Sequence, residues 1–415
     1  MAAPASPAPR GKISFTLVLA MMSAIGPLSI DMYLPSLPTL TRELHASAAV
    51  GQATVAVFFA GLASGQLLYG PASDRYGRRG PLLFGFALFA AASIAAALAV
   101  DMRSLILARL VQAGGGCAGM VITRAIVRDH FDHKGSAGFF SMLFLVTGAA
   151  PILAPSLGSL ILTFAGWRAI FALLGGFGVT VFLCVLLFLP ESRSAAVAAQ
   201  ARSEHPFRAY WGLITQRRLL GYLLGGALNS ACMFTYIASA AGVLMGAYGV
   251  SPTMFGILFG INSVGLIGGS QLNRLLLRRH SPDQILAGSA IVSIACAGTV
   301  ALAAILPVGV WPLIAALFVT IASSSLIQAN ALAGALAVDG SRPGSASALF
   351  GACGFGLGAA ASSVAGALSN GTALPMAGVL TCCLVGCAAA LFGLALRPQA
   401  KPAAAAAAAA SPPAP

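Results

Sequence analysis

A succession of long apolar runs, separated by short polar stretches, is the feature that most constrains this chain. In hydrocarbon, backbone N–H and C=O groups have to pair within their own segment, so apolar runs of about 20 residues are expected to form membrane-spanning helices. Only 8% of the 415 residues are charged, against about 25% in soluble domains. We therefore predict an all-α membrane protein with twelve transmembrane helices. The predicted spans are residues 13–38, 48–70, 81–100, 104–127, 136–163, 168–189, 219–246, 253–277, 284–306, 312–337, 345–368 and 373–396.

The basic residues predict the orientation of these helices, because Lys and Arg accumulate in cytoplasmic loops. On one side of the predicted membrane the loops contain only Arg42, Arg103 and Arg168, and nearly all other basic residues fall on the opposite side. Both termini are then cytoplasmic, and Trp167 and Trp311 fall at the outer interface. The net charge of +13 is a topology signal, and without a clustered basic patch with aromatics no nucleic-acid partner is expected.

A long polar stretch after the sixth span predicts two halves of six helices each. A weak internal repeat supports this, since GQLLYGPASDRYGRR at 65–79 resembles GGSQLNRLLLRRH at 268–280. Transporter halves are commonly such parallel repeats with a site between them. The predicted units are a cytoplasmic tail (1–12), an N-terminal bundle (13–190), a linker (191–216), a C-terminal bundle (217–396) and a disordered Ala/Pro-rich tail (397–415).

Asp31 is the one acidic residue within the predicted spans. An unpaired carboxylate in hydrocarbon costs several kcal/mol, so Asp31 has to be paired, hydrated or protonated. A group that changes protonation with its surroundings can carry a proton. The alternative is that Asp31 lies in the outer headgroup zone, because Pro35 and Pro38 end or kink this helix soon afterwards.

Arg109 is the deepest basic residue of the predicted spans, and a guanidinium does not lose its proton. If Arg109 faces Asp31 across the bundle, protonation of Asp31 leaves it without a partner, and this competition would couple protons to cargo. The alternative is a structural anchor whose side chain reaches the outer interface.

Two glycine- and proline-rich segments are further candidates. In GPASDRYGRR (70–79), between the second and third spans, Gly70 and Gly77 permit a tight turn. A topology loop explains the arginines but not Asp74. In the fifth span, Pro151 and Pro155 remove backbone donors and Gly158 permits close approach, so either a functional break or an ordinary kinked helix is expected.

Other chemistries find little support in the sequence. DHFDH at 129–133 could bind a metal through Asp129, His130, Asp132 and His133, but a solvated loop is the simpler interpretation. Gly114, Gly115 and Gly116 lie within a span without a following Lys, which favours close helix packing. Motifs of membrane-embedded hydrolases and of P-loop ATPases do not occur in the sequence. No cofactor, metal or enzymatic activity is expected.

Several of these motifs together resemble one family. The chain is similar to the drug:proton antiporters of the major facilitator superfamily, in particular the Bcr/CflA group of bicyclomycin and chloramphenicol exporters. The motifs are IDMYLPSLP (30–38), GPASDRYGRR (70–79), Arg109 with Gln112, RAIVRD (124–129), APILAPSLG (150–158) and GWRAIF (166–171). The chain departs from the family pattern at Ala113, Ala154, Ser159, Ala241 and Gly242.

The resemblance implies a fold of two pseudo-symmetric six-helix bundles and assigns roles to the candidates. Asp74, Arg75, Arg78 and Arg79 would form a cytoplasmic gating loop with Gly70 and Gly77, Arg109 would be the basic residue near the proton site, and Pro151, Pro155 and Gly158 would mark the antiporter helix. The candidate substrate-cavity residues are Tyr33, Gln112, Asn229, Phe234, Tyr236 and Asn262.

The sequence thus predicts a proton-coupled exporter of small drug-like molecules, which alternates access across the bacterial inner membrane and acts as a monomer. Amphenicol- or bicyclomycin-type cargo is implied, with neutral or zwitterionic compounds favoured. Two alternatives stay open: a nutrient symporter of the same fold and a membrane-embedded enzyme.

Overall fold

The computed structural model describes residues 12–130, 133–193, 206–306, 309–338 and 343–396. Residues 1–11 and 397–415 of the predicted tails, residues 194–205 of the predicted linker, and Phe131 and Asp132 of the DHFDH segment lie outside the described residues. The described helices are α1 (Lys12–Asp31), α2 (Leu37–Glu43), α3 (Ala48–Tyr76), α4 (Arg79–Ala97), α5 (Met102–His130), α6 (His133–Phe188), α7 (Pro206–Ile214), α8 (Arg217–Ala241), α9 (Pro252–Leu276), α10 (Pro282–Ile305), α11 (Val310–Val338), α12 (Pro343–Ala367) and α13 (Leu374–Ala390).

The number of membrane crossings agrees with the sequence. Within the described ranges, eleven helical segments are long and apolar enough to cross a membrane. The longest helix, α6, has 56 residues and contains a non-helical residue at Gly166, with φ 74° and ψ 174°. Glycine adopts this positive φ without the strain that a Cβ atom would cause. Gly166 divides α6 between the predicted fifth and sixth spans, which completes the predicted set of twelve.

The first span is not the continuous helix that was predicted over 13–38. α1 ends at Asp31, and a short 3-10 turn over Leu34–Ser36 separates it from α2. The proline at 35 has no N–H for the carbonyl of Asp31, and the proline at 38 has none for the carbonyl of Leu34. The chain therefore loses two helical hydrogen bonds, three residues apart, at the break.

Two further features concern the helix ends around the glycine- and proline-rich segments. α3 continues to Tyr76, so Gly70 lies within a helix and only Gly77, with φ 97°, forms the turn. α6 runs without interruption past Pro151 and Pro155, and its break is at Gly166 instead. The turn thus lies at Gly77 alone, and of the two alternatives for the fifth span the described backbone agrees with a helix that continues through the prolines.

The two halves of the chain meet along two helix pairs. In the first half α5 packs against α3 and α4, and α6 packs against α1 and α4. In the second half α8 packs against α11, α12 and α13, and α10 packs against α11 and α13. Between the halves, α3 packs along α12 and α6 packs along α9. We call the end with Asp74, Arg78 and Arg193 the basic end of the molecule.

The end opposite the basic end is held together around Trp167. This side chain is only 1% exposed, and its Nε1 donates to Glu43 Oε2 at 2.7 Å. Arg168 donates to the same oxygen and to the carbonyl of Ala99. Trp167 is therefore a buried side chain that ties α2 to α6, not a lipid-facing interfacial residue, whereas Trp311 is 65% exposed.

The glycines of α5 allow close helix packing, but two adjacent glycines differ in how near the neighbouring helix lies. A Cβ atom at Gly115 would lie 2.5 Å from the Gly85 carbonyl oxygen and 2.5 Å from the Phe89 nitrogen of α4. A Cβ atom at Gly114 would meet nothing within 4 Å. The backbones of α4 and α5 thus touch at Gly115 but not at Gly114.

We expect Gly115→Ala to destabilise the folded protein by about 1–3 kcal/mol, because the added methyl group pushes two backbones apart. The matched control is Gly114→Ala, which should be neutral or stabilise by up to about 1 kcal/mol through helix propensity. Apparent melting temperatures in detergent measure both effects. Equal melting temperatures for the two variants would contradict the close α4–α5 contact.

Candidate functional site

Asp31 lies at the point where α1 breaks. Its side chain is only 3% exposed, and its Oδ1 is buried without a hydrogen-bond partner among the described residues. A charged carboxylate is costly in such surroundings because nothing replaces its lost hydration. Asp31 is thus buried in the molecule and is not a solvated headgroup-zone residue in this conformation.

Arg109 of α5 is fully buried, at 0% exposure, which excludes a side chain that reaches the outer interface in this conformation. Its Nη1 donates to the carbonyl of Ser29 at 3.0 Å and to Gln112 Oε1 at 2.7 Å. Its guanidinium carbon lies 4.2 Å from the ring centre of Tyr33 and 4.0 Å from that of Phe58. The aromatic faces stabilise the charge where Nε and Nη2 lack hydrogen-bond partners.

The pairing of Asp31 with Arg109, one of the alternatives that the sequence left open, is not present in this conformation. No ion pair joins the two side chains, although both are described. Arg109 instead binds the last turn of α1, the helix whose final residue is Asp31. A cation at a helix C-terminus satisfies free carbonyls and interacts favourably with the helix dipole. Arg109 therefore positions the α1 end that carries Asp31.

Gly158 and Tyr236 bring two other helices to the same break. A Cβ atom at Gly158 of α6 would overlap the carbonyl oxygen of Met32, so only glycine permits this approach. Tyr236 of α8 lies within electrostatic range of the Asp31 carboxyl group. Its hydroxyl accepts a hydrogen bond from Asn262 Nδ2 at 2.7 Å. The second half of the chain thus reaches the break through Tyr236.

The other cavity candidates divide into three groups. Tyr33 and Gln112 belong to the surroundings of Arg109: the Tyr33 hydroxyl lies 3.0 Å from Thr54 Oγ1, and Gln112 Nε2 donates to Ser93 Oγ at 2.7 Å. Asn229 joins α8 to α11 by donating to the Ser324 carbonyl and Gln328 Oε1. Phe234 lies in contact with aromatic rings of two other helices.

The gating-loop candidates form a compact network at the basic end. The guanidinium of Arg78 donates to Asp74, to Ser73 Oγ at 2.9 Å and to Asp129 Oδ2 at 2.9 Å. Arg79 Nη2 donates to the carbonyl of Leu186 at 2.6 Å. Arg75 is exposed and has no carboxylate partner among the described residues. The network therefore includes the side chains of Asp74, Arg78 and Arg79 but not the side chain of Arg75.

Glu191, which follows α6, is a member of this network that the sequence did not reveal. Its carboxylate accepts from the backbone N–H groups of Arg78, Arg79, Ser192 and Arg193 at 2.8–3.1 Å. Burial by itself would raise the pKa of Glu191, but these four donors outweigh burial and hold the pKa below its ordinary value. The carboxylate thus joins the α3–α4 turn to the end of α6.

Arg193 and Asp129 complete the network. Arg193 Nη1 donates to the carbonyls of Asp74 and Arg75 at 3.2 and 2.6 Å, and Ser192 Oγ donates to Asp129 Oδ2 at 3.2 Å. Asp129 thus bonds to Arg78 and Ser192, a different role from the metal ligand that the DHFDH segment suggested. Asp129 is the last residue of the RAIVRD motif, which marked it as a candidate in the sequence. Its contact with Arg78 could not be predicted, because no spacing rule connects the two residues.

Twelve apolar crossings, two helical halves and a buried acid and base at a broken helix define a multi-pass membrane transporter. The sequence profile of the Major Facilitator Superfamily matches residues 19–363. The uncharacterized MFS-type transporter YdgK of Bacillus subtilis is 33% identical over 395 residues, which cover 94% of this chain and 97% of that protein. The chain belongs to the major facilitator superfamily and is a transporter, not an enzyme.

Other relatives and solved structures agree with this assignment. A bicyclomycin resistance protein homolog of Haemophilus influenzae is 29% identical over 371 residues, 89% of this chain and 93% of that protein. A chloramphenicol resistance protein of Pseudomonas aeruginosa is 31% identical over 277 residues, 66% and 64% of the two chains. The xylose transporter XylE of E. coli, in a partially occluded inward-open conformation, has a TM-score of 0.71 at 14% identity over 92% of this chain and 97% of that one.

We expect Glu191→Gln to lower the stability of the basic end by about 1 kcal/mol at pH 7, because an amide accepts fewer hydrogen bonds than a carboxylate and solvent screens part of the effect. Since the folded pKa of Glu191 is lowered, its contribution is present above the ordinary value of 4.5 and is lost as pH falls below it. The difference in melting temperature between wild type and variant should shrink over that range.

The control for this experiment is Arg279→Gln, which changes one exposed charge in the loop between α9 and α10. Its melting temperature should follow that of the wild type at every pH. A Glu191→Gln difference that stays constant down to pH 3 would show that the ionised carboxylate is not the stabilising species.

Proposed function

We propose that this chain exports small neutral or zwitterionic drug-like molecules in exchange for protons, with Asp31 as the proton carrier. One observation carries the proposal: at the break that follows α1 lies a buried carboxyl group whose Oδ1 has no hydrogen-bond partner in the described part of the chain. The similarity to proteins named for bicyclomycin, chloramphenicol and multidrug resistance supports drug-like cargo.

The exchange cycle follows from the surroundings of Asp31. While Asp31 is buried, its neutral form is favoured, because the charged form has no donor to replace water. When the halves separate and water reaches the break, the positive charge of Arg109 favours release of the proton. The other titratable groups near the break are the phenols of Tyr33 and Tyr236, and neither carries a charge that opposes this release.

Two further parts of the first half support alternating access. The network of Asp74, Arg78, Asp129 and Glu191 would hold the basic end together in one state of the cycle, as gating-loop residues do. Gly158 would let α6 slide along the α1 break, which is the role proposed for the antiporter helix with Pro151 and Pro155. The asymmetry of basic residues supports a cytoplasmic basic end in the bacterial inner membrane.

We expect Asp31→Asn to abolish proton-driven export, because an amide of the same size cannot release a proton. Drug counterflow down a concentration gradient should persist, since it requires only alternating access. The matched control is Asp101→Asn: Asp101 accepts from the Ser104 N–H at 2.7 Å at the start of α5, and Asn caps a helix equally well. This variant should transport like the wild type.

Proteoliposomes with an imposed pH gradient distinguish the possible outcomes. Equal proton-driven export by wild type and Asp31→Asn would remove Asp31 from the mechanism. Cargo that moves in the same direction as protons would show a symporter of the same fold instead.

The charge of the cargo leads to a separate prediction. A proton that crosses 100 mV provides about 2.3 kcal/mol, and each tenfold gradient of a neutral solute costs about 1.4 kcal/mol. With one proton exchanged, a membrane potential alone should therefore drive export of a neutral drug. One-for-one exchange with a monovalent cation moves no net charge, so that export should respond only to the pH gradient. Voltage-insensitive export of a neutral drug would contradict one-for-one exchange through Asp31.

A further inference from the structure

Three phenylalanine rings meet where the halves of the chain join. We call Phe59 of α3, Phe234 of α8 and Phe355 of α12 the phenylalanine stack. The ring centres of Phe234 and Phe355 are 4.9 Å apart with nearly parallel planes, at 10°. Phe59, from the first half, lies 4.3 Å from Phe234 and 6.3 Å from Phe355. The stack therefore contains one ring from the first half and two from the second.

The glycines of α12 make room for these rings. Phe355 lies between Gly354 and Gly356, and a Cβ atom at Gly358 would overlap the ring of Phe234. A side chain at position 358 would thus push Phe234 away from Phe355. The parallel arrangement of Phe234 and Phe355 therefore depends on the absence of a side chain at Gly358.

A polar group lies one helical turn from the stack. Ser230, four residues before Phe234 in α8, donates to Gln328 Oε1 at 3.2 Å, and Asn229 Nδ2 donates to the same oxygen at 3.2 Å. Gln328 of α11 donates to no acceptor among the described residues, although its amide has two N–H groups. The Gln328 amide is therefore a free donor near an aromatic surface.

We propose that the phenylalanine stack is the recognition site for cargo with a planar aromatic ring and a hydrogen-bond acceptor substituent. This inference rests on the proposed function and names the class of cargo. In this conformation Phe59 covers the face of Phe234. Separation of α3 from the second half uncovers that face, and a planar ring can then stack between Phe59 and Phe234 in place of the ring–ring contact. The Gln328 amide would donate to the acceptor substituent.

The test compares two small drug molecules, one with an aromatic ring and one without. Chloramphenicol contains a nitrophenyl ring, and bicyclomycin contains no aromatic ring. Phe355→Leu keeps an apolar side chain but removes the flat face that supports Phe234. We expect the KM for chloramphenicol to rise about fivefold to tenfold, with the KM for bicyclomycin nearly unchanged. Phe355→Trp should retain the wild-type preference.

The matched control is Phe350→Leu, five residues earlier in the same helix, whose ring packs against Gly226 outside the stack. It should affect both cargoes equally. If Phe355→Leu does not accumulate in the membrane, Phe59→Leu replaces it, because Phe59 is the ring that the first half contributes to the stack. The same selective rise in the KM for chloramphenicol is expected.

The outcomes separate this inference from the proposed function. If Phe355→Leu exports both compounds equally poorly, the phenylalanine stack only closes the interface between the halves. If the wild-type protein exports bicyclomycin but not chloramphenicol, the stack does not recognise aromatic rings. Either result overturns the inference and leaves drug export intact. Failure of the wild type to export any compound against a proton gradient would overturn the proposed function itself.

Discussion

The interaction on which the rest of this structure depends is the one that closes the end of α1 inside the membrane. A helix that ends in hydrocarbon leaves carbonyl groups without donors, which lipid cannot supply. α1 ends at Asp31, four residues before Pro35, and Arg109 donates to the carbonyl of Ser29 in the last turn of this helix. Because Arg109 is held there by Gln112 and by two aromatic faces, the position of Asp31 is set by a neighbour that forms no ion pair with it.

Both ends of the first half are tied by long-range polar contacts. At the basic end, Glu191 and Arg193 connect the end of α6 to the α3–α4 turn. At the opposite end, Glu43 connects α2 to α6 through Trp167. The contacts between the halves are of a different kind, since glycines of α12 face Gln52 and Gln66 of α3. The hydrogen bond from Ser239 to Gln52 Oε1, at 3.4 Å, is long. Movement between the halves therefore requires little loss of buried hydrogen bonding, whereas movement within the first half would break several charged contacts.

The sequence predicted the helices well because each crossing imposes its own local requirement for about 20 apolar residues. It predicted functional positions less well where a contact joins distant segments. Asp31 and Arg109 were recognised as unusual charges in apolar runs, but the sequence left open whether they pair, because one partner of Arg109 is the Ser29 carbonyl and a backbone acceptor leaves no trace in the sequence. Glu191 and Asp129 were missed as partners of the α3–α4 turn because they lie 113 and 51 residues from Arg78 along the chain, and no spacing in the sequence indicates these contacts. The break after Asp31 was visible in Pro35 and Pro38, yet hydropathy alone extended the helix across it.

The two proposed sites share one helix. Phe234, in the phenylalanine stack, and Tyr236, near Asp31, are two residues apart in α8, so their side chains point about 200° away from each other. A change at the α1 break that moves Tyr236 would then also move Phe234, on the opposite face of α8, relative to Phe59. Coupling between proton and cargo does not need a direct competition for Arg109. It needs only that α8 moves as a rigid rod, which its hydrogen-bonded, largely buried segment from Leu219 to Ala241 favours.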